Sequence, residues 1–255
     1  CLNVLHNNNQ RTLCGLFLCP KGGGSLNAFI LDGTINSRTD LGLRITQVPV
    51  IPTSERVIEN IEVDGREGDL TLLKGWKDMT FNLKAVIWAK DVWTVWRNIS
   101  PQILNAKTIS FSNDPSVFYK MKTIQASGLT QVLSTMWEFE LEITCLPFRY
   151  KVGVPLINRT SSGTVTNSGN VFSLPRIKVY GSGTRTLTIN GKPIVLNLQS
   201  EYLIIDSELK ECYYGDVATN NLMTGDFPEF RVGSNTVTLG TGITKVEIEP
   251  RWRYL

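Results

Sequence analysis

The chain has 255 residues, 42% hydrophobic and 19% charged, with a net charge of +3, the composition of one large globular domain or two ordinary ones. Its basic residues are scattered among acids, which argues against nucleic acid as a partner, and no apolar run approaches the ~20 residues needed to span a bilayer. The cysteines Cys1, Cys14, Cys19, Cys145 and Cys212 are odd in number and sparse, and none has C-x2-C spacing. They point to neither a disulfide framework nor a zinc site, but to folding in a reducing compartment.

Residues 1–25 contain no acid and little periodicity, and end in Lys21-Gly22-Gly23-Gly24-Ser25, a flexible-linker composition. They are expected to be an appended segment or a flexible arm, with the body starting near Leu26. Strands are expected at Asn27–Leu31 and Arg44–Val50, with Asp32-Gly33 as a turn. Residues 56–62 alternate, 64–69 form a turn-rich acidic loop, and 76–89 outline another strand pair, with Met79, Phe81, Leu83, Ala85 and Ile87 on one face. Residues 91–106 read as the one good helix, since Val92, Val95, Trp96, Ile99 and Ile103 fall on one side; Pro101 is expected to break it. Strands at 107–111 and 117–124 flank the turn signal Asn113-Asp114-Pro115.

Residues 131–145 then close the first unit. Within them Trp137, Phe139, Leu141, Ile143 and Cys145 alternate with Glu138, Glu140, Glu142 and Thr144, giving one apolar and one acidic face. Leu146-Pro147 is expected to stop this ladder, because proline has no N–H to donate. Pro147, Phe148, Arg149 and Tyr150 are then the hinge between a domain over 26–150 and a second over 151–255. That second part is a regular beat of short strands and glycine turns. Asn190-Gly191 is its strongest hairpin signal, and strands are expected at 157–165, 176–180, 186–189, 193–198, 201–206, 212–214, 229–232, 236–239 and 243–249. Such spacing predicts an antiparallel β-sandwich.

Catalytic chemistry finds little support. The only histidine, His6, lies outside the body, which removes histidine-based triads and most zinc or iron sites. Glu138, Glu140 and Glu142 could in principle pair for glycoside hydrolysis, but they read better as a solvated or subunit-facing surface. Asp64, Glu67 and Asp69 do not follow the order of a calcium loop and read as an acidic turn. Of the tryptophans, Trp252, flanked by Arg251 and Arg253, is the one least expected to be buried.

This order of features resembles the distal tail protein (Dit) family of long-tailed, siphovirus-like phages, best known from Gram-positive hosts. It runs from an acidic glycine loop through a tryptophan-rich strand entering a helix and an Asn-Asp-Pro hairpin to Trp137-x-Phe139-x-Leu141-x-Ile143-x-Cys145-x-Pro147-Phe148-x-Tyr150. The later pieces Gly225-Asp226-Phe227-Pro228, Gly233-Ser234-Asn235 and Pro250-Arg251-Trp252-Arg253 fit as well. The resemblance covers about residues 26–255. It implies a mainly β fold: an N-terminal split β-barrel with one helix and an extended hairpin, followed by a galectin-like antiparallel β-sandwich. It also implies a homohexameric ring built by residues 26–150, with the stacking of rings left open. That ring would join the tail tube protein to the tail-associated hub protein and carry receptor-binding proteins. The protein would assemble in the host cytoplasm, reside in the distal tail of the virion, and be neither an enzyme nor a cofactor protein.

A second class of function is a carbohydrate-binding adhesin acting through the sandwich, with Tyr213, Tyr214 and Trp252 as stacking surfaces. A tail-tip hydrolase is a third class, with no supporting constellation.

Overall fold

The computed structural model describes residues 27–255; the expectations for residues 1–25, including the Gly-Ser stretch, three of the cysteines and His6, lie outside the described residues. The first half runs β1 (Phe29–Leu31), β2 (Ile35–Asn36), β3 (Leu43–Ile45), β4 (Arg56–Ile61), β5 (Leu70–Trp76), β6 (Met79–Trp88), α1 (Val92–Leu104), β7 (Thr108–Phe111), β8 (Asp114–Ala126), β9 (Thr130–Leu133) and β10 (Met136–Lys151). The second half adds β11 (Ile157–Arg159), β12 (Gly163–Asn167), β13 (Arg176–Gly181), β14 (Gly183–Ile189), β15 (Lys192–Leu198), β16 (Tyr202–Asp206), β17 (Glu211–Tyr214), β18 (Val217–Ala218), β19 (Met223–Thr224), β20 (Gly233–Leu239), β21 (Ile243–Glu249) and β22 (Arg253–Tyr254).

The alternation over 136–145 produces the strand that organises the first sheet. That sheet is ordered β2-β1-β7-β8-β10-β6-β3, and β9 and β22 also pair with β10. It is a curled half-barrel. Phe139, Leu141, Ile143 and Cys145 face inward and are buried, opposite Ala85, Leu83, Phe81 and Met79 of β6. Helix α1 covers this face with Val92, Ile99 and Ile103, and Trp96 meets the Phe139 ring edge-on at 4.9 Å. Glu138 and Glu142 are exposed and Glu140 is half-buried, so the opposite face is the acidic one. Trp137 is only half-buried, packed against the rim of this core.

Several expectations change. Asp91 caps α1 by accepting from the Thr94 N–H at 3.2 Å, but the helix runs unbroken through Pro101. The carbonyl that Pro101 leaves without its usual donor belongs to Arg97, and both residues are exposed, so water can satisfy it. Residues 70–76, whose apolar run offers no clean alternation, form a strand that pairs with β4. The turn between β7 and β8 is Ser112-Asn113, with Asp114 and Pro115 already in β8. A tight hairpin at Ser134-Thr135 divides 131–145 into β9 and β10.

Pro147 does not end the ladder. β10 continues to Lys151, and the cost of the missing donor is absorbed by a register shift against β8 between Cys145 and Arg149, the place where a bulge tolerates proline.

The second half packs a six-stranded sheet, ordered β11-β21-β13-β16-β17-β18, on a five-stranded one, ordered β12-β20-β14-β15-β19. Both are antiparallel and they share one core, including Ile177, Val179, Leu203, Ile205, Val246 and Ile248 from the first sheet and Leu187, Leu196 and Val237 from the second. Asn190 and Gly191 take φ of 50° and 79°, the two positive values that a type I′ turn needs between β14 and β15. The stretch 157–165 splits between the two sheets as β11 and β12. The stretch 229–232 is not a strand; it supplies only the single bridge of Phe230 to Ser173.

The two faces of β10 should respond differently to truncation. Leu141 is fully buried, so Leu141→Ala should destabilise the first half by about 2–5 kcal/mol. Glu142→Ala on the exposed face should shift stability by less than about 0.5 kcal/mol. Chemical denaturation followed by tryptophan fluorescence checks both; equal losses would show that the strand is not two-sided.

Candidate functional site

The most exposed apolar surface of the first half is the β4–β5 hairpin. Every residue of its two strands except Val57 and Trp76 is exposed. The register pairs Ile58 with Leu73, and Ile61 with Leu70. Because side chains alternate, Ile58 and Leu73 lie on one face, and Ile61, Leu70 and Leu72 on the other. The exposures of Ile58, Leu72 and Leu73 are 56%, 48% and 54%, a concentration of apolar side chains unlike the scattered singles of an ordinary surface. A two-stranded ribbon is marginal alone in water, so its root must hold it.

That root is built on β10. Trp76 meets the Phe148 ring edge-on at 6.2 Å, and the Arg56 guanidinium lies 4.6 Å from the Trp76 ring centre. The Ser54 hydroxyl, just ahead of β4, donates to the Pro147 carbonyl at 2.5 Å. From the other end of the chain, Arg253 lies 4.1 Å over the Phe148 ring and 4.5 Å over Phe172. Its Nε donates to the Phe172 carbonyl at 2.6 Å. Burial lowers the Arg253 pKa below the usual guanidinium value, with the neighbouring Tyr150 and Glu208 opposing the fall. β22 pairs with β10 at Arg149 and Tyr150, beyond the point where β6 ends, and the Arg149 side chain donates to the Leu255 carbonyl at 3.1 Å. The four residues expected to be a hinge are therefore strand, and Phe148 and Tyr150 are buried.

A charged cluster closes the same junction. Glu208, in the loop after β16, accepts from Lys120 Nζ at 2.8 and 2.6 Å and from the Tyr150 hydroxyl at 3.0 Å. Arg251 donates to both Asp206 oxygens at 2.8 Å and to Glu208 at 3.0 Å. Burial alone would raise the Asp206 pKa, but the bonds and charge of Arg251 and the N–H groups of Leu209 and Glu208 outweigh it, and the net shift is downward. The Arg251 pKa is in turn raised, since Asp206 and the nearby glutamates outweigh the opposing effect of burial. The Tyr150 hydroxyl is pushed up, first by burial and then by the Glu208 charge. The shifts of Asp206, Arg251 and Tyr150 each favour the form already held at neutral pH, which suits a permanent fastening rather than a proton-transfer site.

The expected sugar-stacking residues separate. Trp252 is buried and packs on Phe230 at 5.8 Å, so its ring cannot stack on a ligand; the flanking arginines turn inward with it, toward Asp206 and Phe148, instead of holding it in water. Tyr213 is half-buried, and its hydroxyl accepts from Arg176 at 2.9 Å. Tyr214 alone is exposed, at 37%, and leans on Tyr202 at 4.8 Å. Burial pushes the Cys145 thiol up to about 12, which makes it an inert core residue. Among the described residues, no group of three or more His, Cys, Asp or Glu side chains is placed to share a metal ion, and no helix is long and apolar enough to cross a membrane.

Residue reading missed the apolar strand at 70–76 and the bridging role of Glu208. The one signal available for the junction was the terminal Arg251-x-Arg253, which puts two cations close together near the end of the chain.

A half-barrel with one helix and a protruding hairpin, joined to a sandwich, defines a Dit-like fold. No family model matches the sequence, and no curated protein matches it. Among solved structures, the Dit (gp 19.1) protein of phage SPP1, described as a paradigm of the hub adsorption apparatus in phages infecting Gram-positive hosts, is similar over 88% of this chain and 97% of its own, with a TM-score of 0.53 and 14% identity. A chain of the phage P2 baseplate in its activated conformation with calcium is similar over 88% and 97%, with a TM-score of 0.47 and 10% identity. The same baseplate with strontium gives 0.45 and 9% over the same shares.

Two outcomes test the junction. Arg251→Ala leaves the buried Asp206 carboxylate without its cation and should cost about 3–5 kcal/mol, read as a lower thermal midpoint. Because the Asp206 pKa lies below its ordinary 3.8, the stability from this pair is fully present above pH 3.8 and lost as pH falls below it through the depressed value. In Arg251→Ala the acid limb of the stability profile between neutral pH and pH 2 should therefore flatten, and an unchanged limb would contradict the assignment.

Proposed function

We propose that the chain is a structural component of a phage tail tip. In this reading residues 26–150 assemble with five further copies into a ring, which joins the tail tube protein to the tail-associated hub protein. The second lobe sits outside as a platform for receptor-binding proteins. The site of action is the distal tail of the virion, after assembly in the host cytoplasm, and the role is mechanical rather than enzymatic. The observation that carries the reading is the β4–β5 hairpin, with apolar side chains exposed on both faces. Such a ribbon is stable in water only when another surface covers it. The likeness in fold to the SPP1 Dit protein supports the same reading, as does the absence of a loose connector at 147–150, since a platform must transmit force.

The carbohydrate-binding alternative retains Tyr214 as its one exposed ring of the three expected. Binding of the protein to a glycan array, abolished by Tyr214→Ala, would favour it.

Sedimentation velocity at tens of micromolar, combined with micrographs, tests the assembly. A ring several protomers in size is the expected result, and a strict monomer would overturn the proposal. Leu72→Glu, on the exposed hairpin, should leave the melting temperature within a few degrees and shift the population toward monomer.

A further inference from the structure

A second apolar surface lies at the opposite end of β6 from the hairpin. In register, Trp88 of β6 stands opposite Met136 of β10, and Met136 stands opposite Leu133 of β9. Directly opposed side chains share a face, so these three form a row across three strands at the end of the sheet. Trp88 and Leu133 are 53% and 56% exposed. Around the end of the sheet, Trp93 of α1 is also 53% exposed and leans edge-on against Trp137 at 6.1 Å. Two half-exposed tryptophans beside an exposed leucine make the kind of aromatic anchor surface that dominates protein interfaces. Nothing in the curled sheet requires them there, since the inward face is already filled by Phe139, Ile87 and the helix.

We propose that this row, with Trp93, receives the β4–β5 hairpin of a second copy of the chain; the inference rests on the ring reading and names its acceptor surface. Three observations choose this occupant. First, the hairpin root adjoins Met79 and the row lies at Trp88, the two ends of a ten-residue strand, about 30 Å apart at the usual strand rise. Donor and acceptor at opposite ends of one sheet make a head-to-tail contact, the kind that builds rings when the rotation between copies closes and filaments when it does not. In the structure the hairpin stands exposed, so its own row does not cover it. Second, both surfaces are apolar and half-exposed, the hairpin presenting aliphatic side chains and the row presenting tryptophans beside Leu133 and Met136. Third, the charges are complementary. Residues 59–70 hold Glu62, Asp64, Glu67 and Asp69 against Arg66, with Glu59 already paired to Lys74 across the hairpin, while Lys90 follows Trp88 by two residues and Arg97 follows Trp93 by one helical turn. Of the acids near it, Asp91 is engaged in capping α1 and Glu138 is the exposed one.

A photoreactive p-benzoylphenylalanine in place of Leu72 of the full chain, irradiated in a mixture of heavy- and light-isotope copies, reads the contact directly. The expected product is an intermolecular adduct mapping to peptides that hold Trp88, Trp93 or Leu133. Adducts confined to other peptides in an assembled sample would overturn this acceptor and leave the ring standing, whereas a wild-type chain that sediments only as a monomer would sink both. In parallel, the double variant Trp88→Glu with Leu133→Glu, at exposed positions, should weaken assembly at least about 30-fold with its thermal midpoint preserved. Assembly at wild-type concentration in that folded variant would also reject the acceptor.

Discussion

The Phe148 ring is the contact on which the rest of the structure depends. It receives the edge of Trp76 from the hairpin root on one side and the guanidinium of Arg253, almost from the end of the chain, on the other. Arg253 is 5% exposed, so its attraction to the two phenylalanine rings acts with little water to screen it, where such contacts reach about 2 kcal/mol; an edge-on aromatic pair adds roughly 0.5–1.5 kcal/mol. The individual terms are modest. Their importance lies in where they act: they join the hairpin, the central strand and the second lobe at one residue, so that none can tilt without disturbing the others.

The central strand makes that convergence available. β10 is 16 residues long and is flanked in turn by β9 and β8 on one edge and by β6 and β22 on the other. Its first ten residues close one core, and its last few accept the terminal strand of the other lobe. The bulge around Pro147 is what lets a single strand do both, because it resets the register against β8 just where the partner on the opposite edge changes. A flexible link at this point would have let the lobes swing independently. A bulged strand, fastened by Glu208 to Lys120 and Tyr150, holds them at a set angle instead.

Charge and apolarity are distributed to match. The buried Asp206 is paired within the junction with the half-buried Arg251, where an isolated charge would cost several kcal/mol. Exposed apolar groups form two concentrations in the first half, one in the β4–β5 hairpin and one around Trp88, Trp93 and Leu133.

The local elements were largely legible in the residues. Period-two alternation places Phe139 to Cys145 inward and the glutamates outward because a pleated strand allows no other arrangement, and Asp91 and Asn190-Gly191 mark a helix start and a hairpin through their own side-chain and backbone preferences. Misreadings arose where a local rule met a compensation from elsewhere. Pro101 sits within a helix because its orphaned carbonyl faces water, and Pro147 within a strand because a bulge relieves it. Leu70 to Trp76 form a strand although their pattern matches no buried face, since they have no buried face to match. Trp252 looked like a surface residue between two arginines. Only the folded chain supplies Asp206, Phe148 and Phe172, from positions 46 to 104 residues away in sequence, to draw both arginines inward and carry the tryptophan into the core between them. Alternation and turn chemistry are decided between neighbours along the chain, and so can be read there. Burial of a charge is decided by partners distant along the chain, and those are brought together by tertiary structure alone.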